Sequence, residues 1–179
     1  MPTVGIVAFG LALAGIAWLV LARVRVSPQR VPRMSNRIAF PGGLRLHEPE
    51  LALARLDEPE AIVIPFEHAT LIIAYPLSTP ASVRISAPIS QGFTRAELVR
   101  AICEEYANVY DAEEGTAAIT TVPRDQRGDL GGRNRTDGAY GIWGYDLQDL
   151  VLTAVRWTRN HDGSITIDLH VESWGLRLT

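Results

Sequence analysis

Phe93-Thr94-Arg95-Ala96-Glu97-Leu98, continued by Ile102, Tyr106 and Val109, is the stretch that decides the fold of this chain. Thr94 and Glu97 have capping-box spacing: the hydroxyl serves the third amide of a helix while the carboxylate reaches back to the cap. Phe93 and Leu98 flank that cap as a hydrophobic staple. Apolar residues then recur at helical spacing, with Arg95, Arg100, Glu104, Glu105 and Asn108 on the opposite side. The pattern predicts a helix over Arg95–Tyr110, ended or extended by one turn at Asp111-Ala112-Glu113-Glu114-Gly115.

Upstream of the helix the period changes from helical to extended. Ala61–Ile64 and Leu71–Tyr75 are short β-branched runs, and Ser82–Ser86 alternates with period two. Together they predict a three-stranded meander. Downstream, Val151–Trp157 and Ser164–Val171 are joined by a turn carrying Asp162-Gly163, a hairpin signal. Ile165, Ile167, Leu169 and Val171 fall on one face of the returning strand, with Thr166, Asp168 and His170 on the other. Ala117–Val122 reads as a further strand. The expected fold class is α+β, with a small antiparallel sheet packed against one main helix over residues 61–179.

Two further segments precede that domain. Residues 23–60 are rich in Arg and Pro and read as a juxtamembrane tether. Val4–Ala22 is apolar and uncharged, and about 20 residues at ~1.5 Å each match the ~30 Å hydrocarbon core of a bilayer. Residues 1–22 are therefore expected to be a single transmembrane helix, with Trp18 at the headgroup level. A cleavable signal peptide ending at Val20-Leu21-Ala22 is the rival reading; the absence of Lys and Arg before the run speaks against it. Arg23, Arg25, Arg30, Arg33 and Arg37 follow with no acid before Glu48. They predict a single-pass membrane protein with its C-terminal domain in the cytoplasm, and a basic stretch facing the lipid bilayer. Ala8/Ala12 and Gly10/Ala14 have the small-residue spacing that lets two membrane helices approach, so a homo-oligomer through this helix is expected.

The charge is divided unevenly. The formal net charge of −3 combines a basic segment before residue 48 with an acidic remainder holding all 20 Asp and Glu side chains. An acidic domain excludes nucleic acid as the main partner and favours a protein partner. All 17 basic residues counted with lysine are arginine. Cys103, the one cysteine, lies within the helical pattern and reads as a buried thiol. His47, His68, His161 and His170 are scattered, without metal-ligand spacing, and no phosphate loop, dinucleotide fingerprint or nucleophile elbow occurs. No metal, cofactor or catalytic residue is expected.

Residues 123–138 are dense in charge, glycine and proline, with Leu130 the only large apolar side chain, and read as an exposed mobile loop. The loop contains the adhesion-type tripeptide Arg127-Gly128-Asp129 and the glycosylation-type triplet Asn134-Arg135-Thr136. Neither short motif carries a function if this side of the membrane is cytoplasmic.

The best candidate site is the segment that follows. Tyr140, Trp143, Tyr145, Asp146 and Asp149 mix carboxylates with aromatics, as an acid/base pair or a ligand platform would. The competing reading makes Trp143 a core aromatic, Asp146 a turn cap and Asp149 a neighbour of the strand start. Tyr140-Gly141-Ile142-Trp143-Gly144-Tyr145-Asp146, its following strand and the Asp162-Gly163 hairpin resemble an uncharacterised protein family of large DNA viruses and some plants and algae, over roughly residues 90–173. That resemblance implies a viral membrane or virion-associated component and supplies no activity and no catalytic residues. The chain is thus expected to be a membrane-anchored structural or protein-interaction protein. The alternative is a small enzyme or ligand-binding domain with its site near Tyr140–Asp149.

Overall fold

The computed structural model describes residues 32–127 and 132–173. Its elements are β1 (Met34–Arg45), α1 (Pro49–Ala54), β2 (Ile62–Ile64), β3 (His68–Ile73), β4 (Ala81–Ser86), β5 (Phe93–Thr94), α2 (Arg95–Thr116), β6 (Leu150–Arg159) and β7 (Ile165–Ser173). One five-stranded sheet runs in the order β1-β6-β7-β3-β4, and β2 with β5 forms a separate two-stranded ribbon. Leu71, Ile73, Val155, Trp157 and Ile167 from the large sheet join Leu98, Ile102 and Tyr106 of α2 in one apolar cluster. Burying such a face is the main stabilising term for a domain of this size.

The capping box of α2 is present as read. Thr94 N–H donates to the Glu97 carboxylate at 2.8 Å, and Glu97 N–H donates to Thr94 Oγ1 at 3.2 Å. The helix runs six residues beyond Tyr110, because its last turn faces inward and Glu113 is buried there. The Asp162-Gly163 hairpin joins β6 and β7, paired from Arg159↔Ile165 to Leu150↔Ser173 with one register shift between Ala154 and Leu152.

Three expectations about the fold are corrected. The sheet is mixed rather than antiparallel: β6–β7 inserts as a unit between β1 and β3, and β3 pairs with β7 in parallel. The meander of three strands is divided. β3 and β4 pair from His68↔Ser86 to Ile73↔Ala81, whereas β2 pairs with β5 and ties down the start of α2. Among the described residues there are two helices in place of one main helix, since Leu51-Ala52-Leu53, within the segment read as a tether, lies in α1 behind Pro49.

The membrane expectation is also corrected. No helix among the described residues is long and apolar enough to cross a membrane, so the fold class is a mixed α/β domain without an observed membrane span. Val4–Ala22, with Arg23, Arg25 and Arg30, lies outside the described residues. Arg33 and Arg37 are described, and both are exposed at the start of β1. Residues expected to be tether thus supply an edge of the main sheet. Ile38 and Phe40 alternate inward there while Arg37 and Ala39 face out. Pro41-Gly42-Gly43, which resembles a linker, is a bulge within β1, where the register with β6 shifts between Ala39 and Leu44.

Candidate functional site

Ala117–Val122 forms no strand. Side chains, not a β-ladder, satisfy its backbone: Ile119 N–H donates to Asp137 Oδ1 at 2.6 Å, and Val122 N–H donates to Asn134 Oδ1 at 2.7 Å. The Asn134 amide also donates to Thr120 O at 3.1 Å, so the glycosylation-type triplet serves as an internal clip. Thr136, its third residue, is 1% exposed.

The described part of residues 123–138 is likewise not a free loop. Arg127 and Arg133 turn their guanidiniums inward, each side chain 5% exposed. Arg127 donates to both Asp146 oxygens, at 2.5 and 2.9 Å, and its Nε donates to Val122 O at 2.8 Å. The adhesion-type reading of Arg127 therefore fails on geometry; Gly128 and Asp129 lie outside the described residues. Arg133 pairs with Glu114, stands 3.6 Å from Asp146 Oδ1, and lies 5.2 Å from the centroid of the Tyr110 ring. A fork-to-fork guanidinium–carboxylate pair fixes direction as well as distance.

Glu113 anchors the other end of the loop. Its carboxylate accepts from Thr136 Oγ1 (2.5 Å) and from the amides of Tyr140 (2.7 Å), Gly138 (2.8 Å) and Gly141 (3.0 Å), with 0% of the residue exposed. Burial pushes this carboxyl up, but the Thr136 hydroxyl and the three amides stabilise its charge and hold it below the usual range. Asp146 follows the same logic. Burial pushes it up, and Arg127, with Arg133 and Arg124 behind it, brings it down.

On this frame the five candidate residues separate into two roles. Tyr140 works through its backbone, its carbonyl accepting from the amides of Ser78 and Thr79 at 3.0 Å. Asp146 and Asp149 close a single turn of 3-10 helix at Leu147–Asp149: Asp146 N–H donates to Asp149 Oδ2 at 3.0 Å. Asp149 also takes an ion pair from Arg124 at 2.5 Å. Both carboxylates thus make structural contacts, Asp149 to the Asp146 amide and Arg124, and Asp146 to Arg127.

The aromatics behave differently. Trp143 is 43% exposed and is no core residue. Its ring lies edge-on to Tyr75 (6.2 Å between centroids) and 6.4 Å from Tyr145, while Tyr75 and Tyr145 stand 5.7 Å apart. Backbone contacts hold this trio from below. Trp143 N–H donates to Pro76 O at 3.2 Å, Gly144 and Arg133 exchange both backbone bonds, and the Tyr106 and Tyr110 hydroxyls donate to Tyr75 O and Tyr145 O at 3.0 Å.

Sequence reading missed Tyr75, Glu113, Arg127 and Arg133 as parts of this assembly. The first lies two residues past β3, the second in the last turn of α2, and the arginines sit in a stretch whose composition resembles a solvated loop. The available signal was Glu113 itself, three residues after an inward-facing Tyr110 and hence on the buried side of α2. No protein-family model, curated protein or solved structure matches the chain, so the resemblance to a viral family and a place in a virion draw no support from comparison.

Proposed function

We propose that this domain is a protein-interaction module whose contact surface is the Tyr75–Trp143–Tyr145 trio. The observation that carries the reading is Trp143, nearly half exposed on a segment whose backbone is pinned on both sides. Exposed tryptophan on a rigid frame loses little entropy on contact and offers a large apolar area; aromatic anchors of this kind dominate binding energies at protein interfaces. The acidic domain around it favours a partner with a complementary basic rim. The alternative of an enzyme or ligand site at Tyr140–Asp149 is disfavoured, because Asp146 and Asp149 are held as ion-paired carboxylates and are not poised for proton transfer.

The test places a photo-crosslinking phenylalanine analogue at position 143 and, as control, at the exposed Glu104, in cells that make the protein. Adducts to another protein from position 143 and not from 104, together with an unchanged melting temperature for Trp143→Ala, are expected. Equal labelling at the two positions, or a fold that melts without Trp143, would remove the reading.

A further inference from the structure

β1 is an outer strand of the sheet, and among the described residues it pairs with β6 alone. Its free side has no strand partner among the described residues, and the Arg37 N–H is held only by the neighbouring Asn36 Oδ1 at 2.8 Å, a local contact that an incoming strand can replace; in most sheets such edges are covered, bulged or charged to prevent pairing. Here the edge carries a particular charge pattern. On the sheet face away from Ile38 and Phe40, Arg37 stands directly opposite Arg156 of β6, and Arg156 stands directly opposite Asp168 of β7. All three are exposed. Neither arginine makes an ion pair among the described residues. Like charges directly across a ladder are destabilising. Read outward, the row is negative, positive, positive and then open. A carboxylate in the next strand position beyond Arg37 would complete it. Arg33, four residues earlier and also exposed, extends the same basic character, and no acid occurs between Arg33 and Leu46.

We propose that the free edge of β1 accepts an extended acidic peptide from a partner protein as an additional strand, with a carboxylate seated beside Arg37. Backbone hydrogen bonds supply the register-independent part of the affinity, and the Arg37–Arg156 pair selects an acidic side chain. The neighbouring row offers only hydroxyls, Ser35 and Thr158, whose side chains lie 3.5 Å apart, so it sets no charge requirement. On the other face Met34 is half exposed and can cover an apolar residue of the peptide, which favours a segment alternating acidic and apolar side chains. A second copy of this chain does not fit the edge. Antiparallel self-pairing would set Arg33, Ser35 and Arg37 against a strand of the same composition, with no acid to answer them. The surface is separate from the Trp143 trio and stands or falls independently of it.

The test uses the full chain and a fluorescein-labelled eight-residue peptide alternating Glu and Val, with a Lys/Val peptide as control. Fluorescence anisotropy is expected to show binding of the acidic peptide only, with amide exchange slowed within residues 34–39. Arg37→Glu is expected to weaken the acidic peptide by about tenfold, since it converts a cross-strand attraction into a repulsion. The same variant should bind the Lys/Val peptide, a gain that misfolding cannot produce. Equal binding of both peptides, acidic binding that survives Arg37→Glu, or slowed exchange outside β1 would each overturn the proposal. Capture by phosphatidylserine vesicles that depends on Arg37, without peptide binding, would overturn it in favour of an anionic surface.

Discussion

The carboxylate of Glu113, in the last turn of α2, accepts a 2.5 Å hydrogen bond from Thr136 Oγ1, 23 residues away, in a pocket closed to solvent. With the amides of Gly138, Tyr140 and Gly141 it makes four such bonds and fixes where the chain must run before Trp143. A charge this deep is tolerated only because every lone pair meets a donor.

Glu113→Gln keeps the shape and loses the charge, and it places an amide NH2 among four donors. We expect a loss of about 2–3 kcal/mol, the cost of leaving buried donors unmatched, measured by urea denaturation. A change within experimental error would mean that the pocket admits water.

Stability should depend on acid in a defined direction. Glu113, Glu114 and Asp146 are all held below their ordinary values in the folded chain. Their contribution is therefore fully present above the unfolded carboxylate range, near pH ~4, and lost as pH falls through the lower folded values. Melting temperature followed from neutral to acid pH should fall on the acid side, and less steeply in Glu113→Gln. A parallel fall in both proteins would assign the effect elsewhere.

Asp146 and Asp149 differ in what they leave behind. Asp146→Asn strands Arg127, which is almost fully buried, and should cost roughly 3 kcal/mol. Asp149→Asn releases Arg124, half exposed, and should cost no more than about 1 kcal/mol. Chemical denaturation of the two variants side by side gives the ranking, and the reverse order would contradict the ion-pair geometry.

Gly92 has φ of +113°, and an added Cβ would collide with Ile64 O and come within 2.7 Å of Phe66 N, both backbone atoms. Gly92→Ala should therefore cost about 3 kcal/mol or more, combining backbone strain with displacement of β2. Gly163, in the β6–β7 turn, has φ of +87° and open space around it, so Gly163→Ala should cost only about 1–2 kcal/mol. Thermal denaturation of both separates the collision from the conformational penalty.

Local chemistry was legible in the linear order of residues. Thr94 and Glu97 sit three apart, which is sufficient for the box that starts α2. Alternation from Ile165 onward and the Asp162-Gly163 turn were enough for the β6–β7 hairpin. The short turn before β6 is likewise local, with the Asp149 carboxylate accepting from the Asp146 N–H three residues earlier. In each case the interacting groups are near neighbours in sequence, so periodicity and turn chemistry suffice.

What only the tertiary structure decided is where distant pieces meet. Parallel pairing of β3 with β7 joins segments separated by α2 and has no local signal. The bulge at Pro41-Gly42-Gly43 mimics a linker in composition, and only its placement against β6 shows residues 34–45 to be an edge strand. Arg127 and Arg133 have the composition of a solvated loop, and they are inside because Asp146 and Glu114 wait there for them. Trp143, by contrast, stands outside. Its amide is bonded to Pro76 O and the next residue, Gly144, to Arg133, and the indole stands 43% exposed beside Tyr75 and Tyr145. Local propensity sets each element, and long-range pairing of charge and backbone sets which faces remain for a partner.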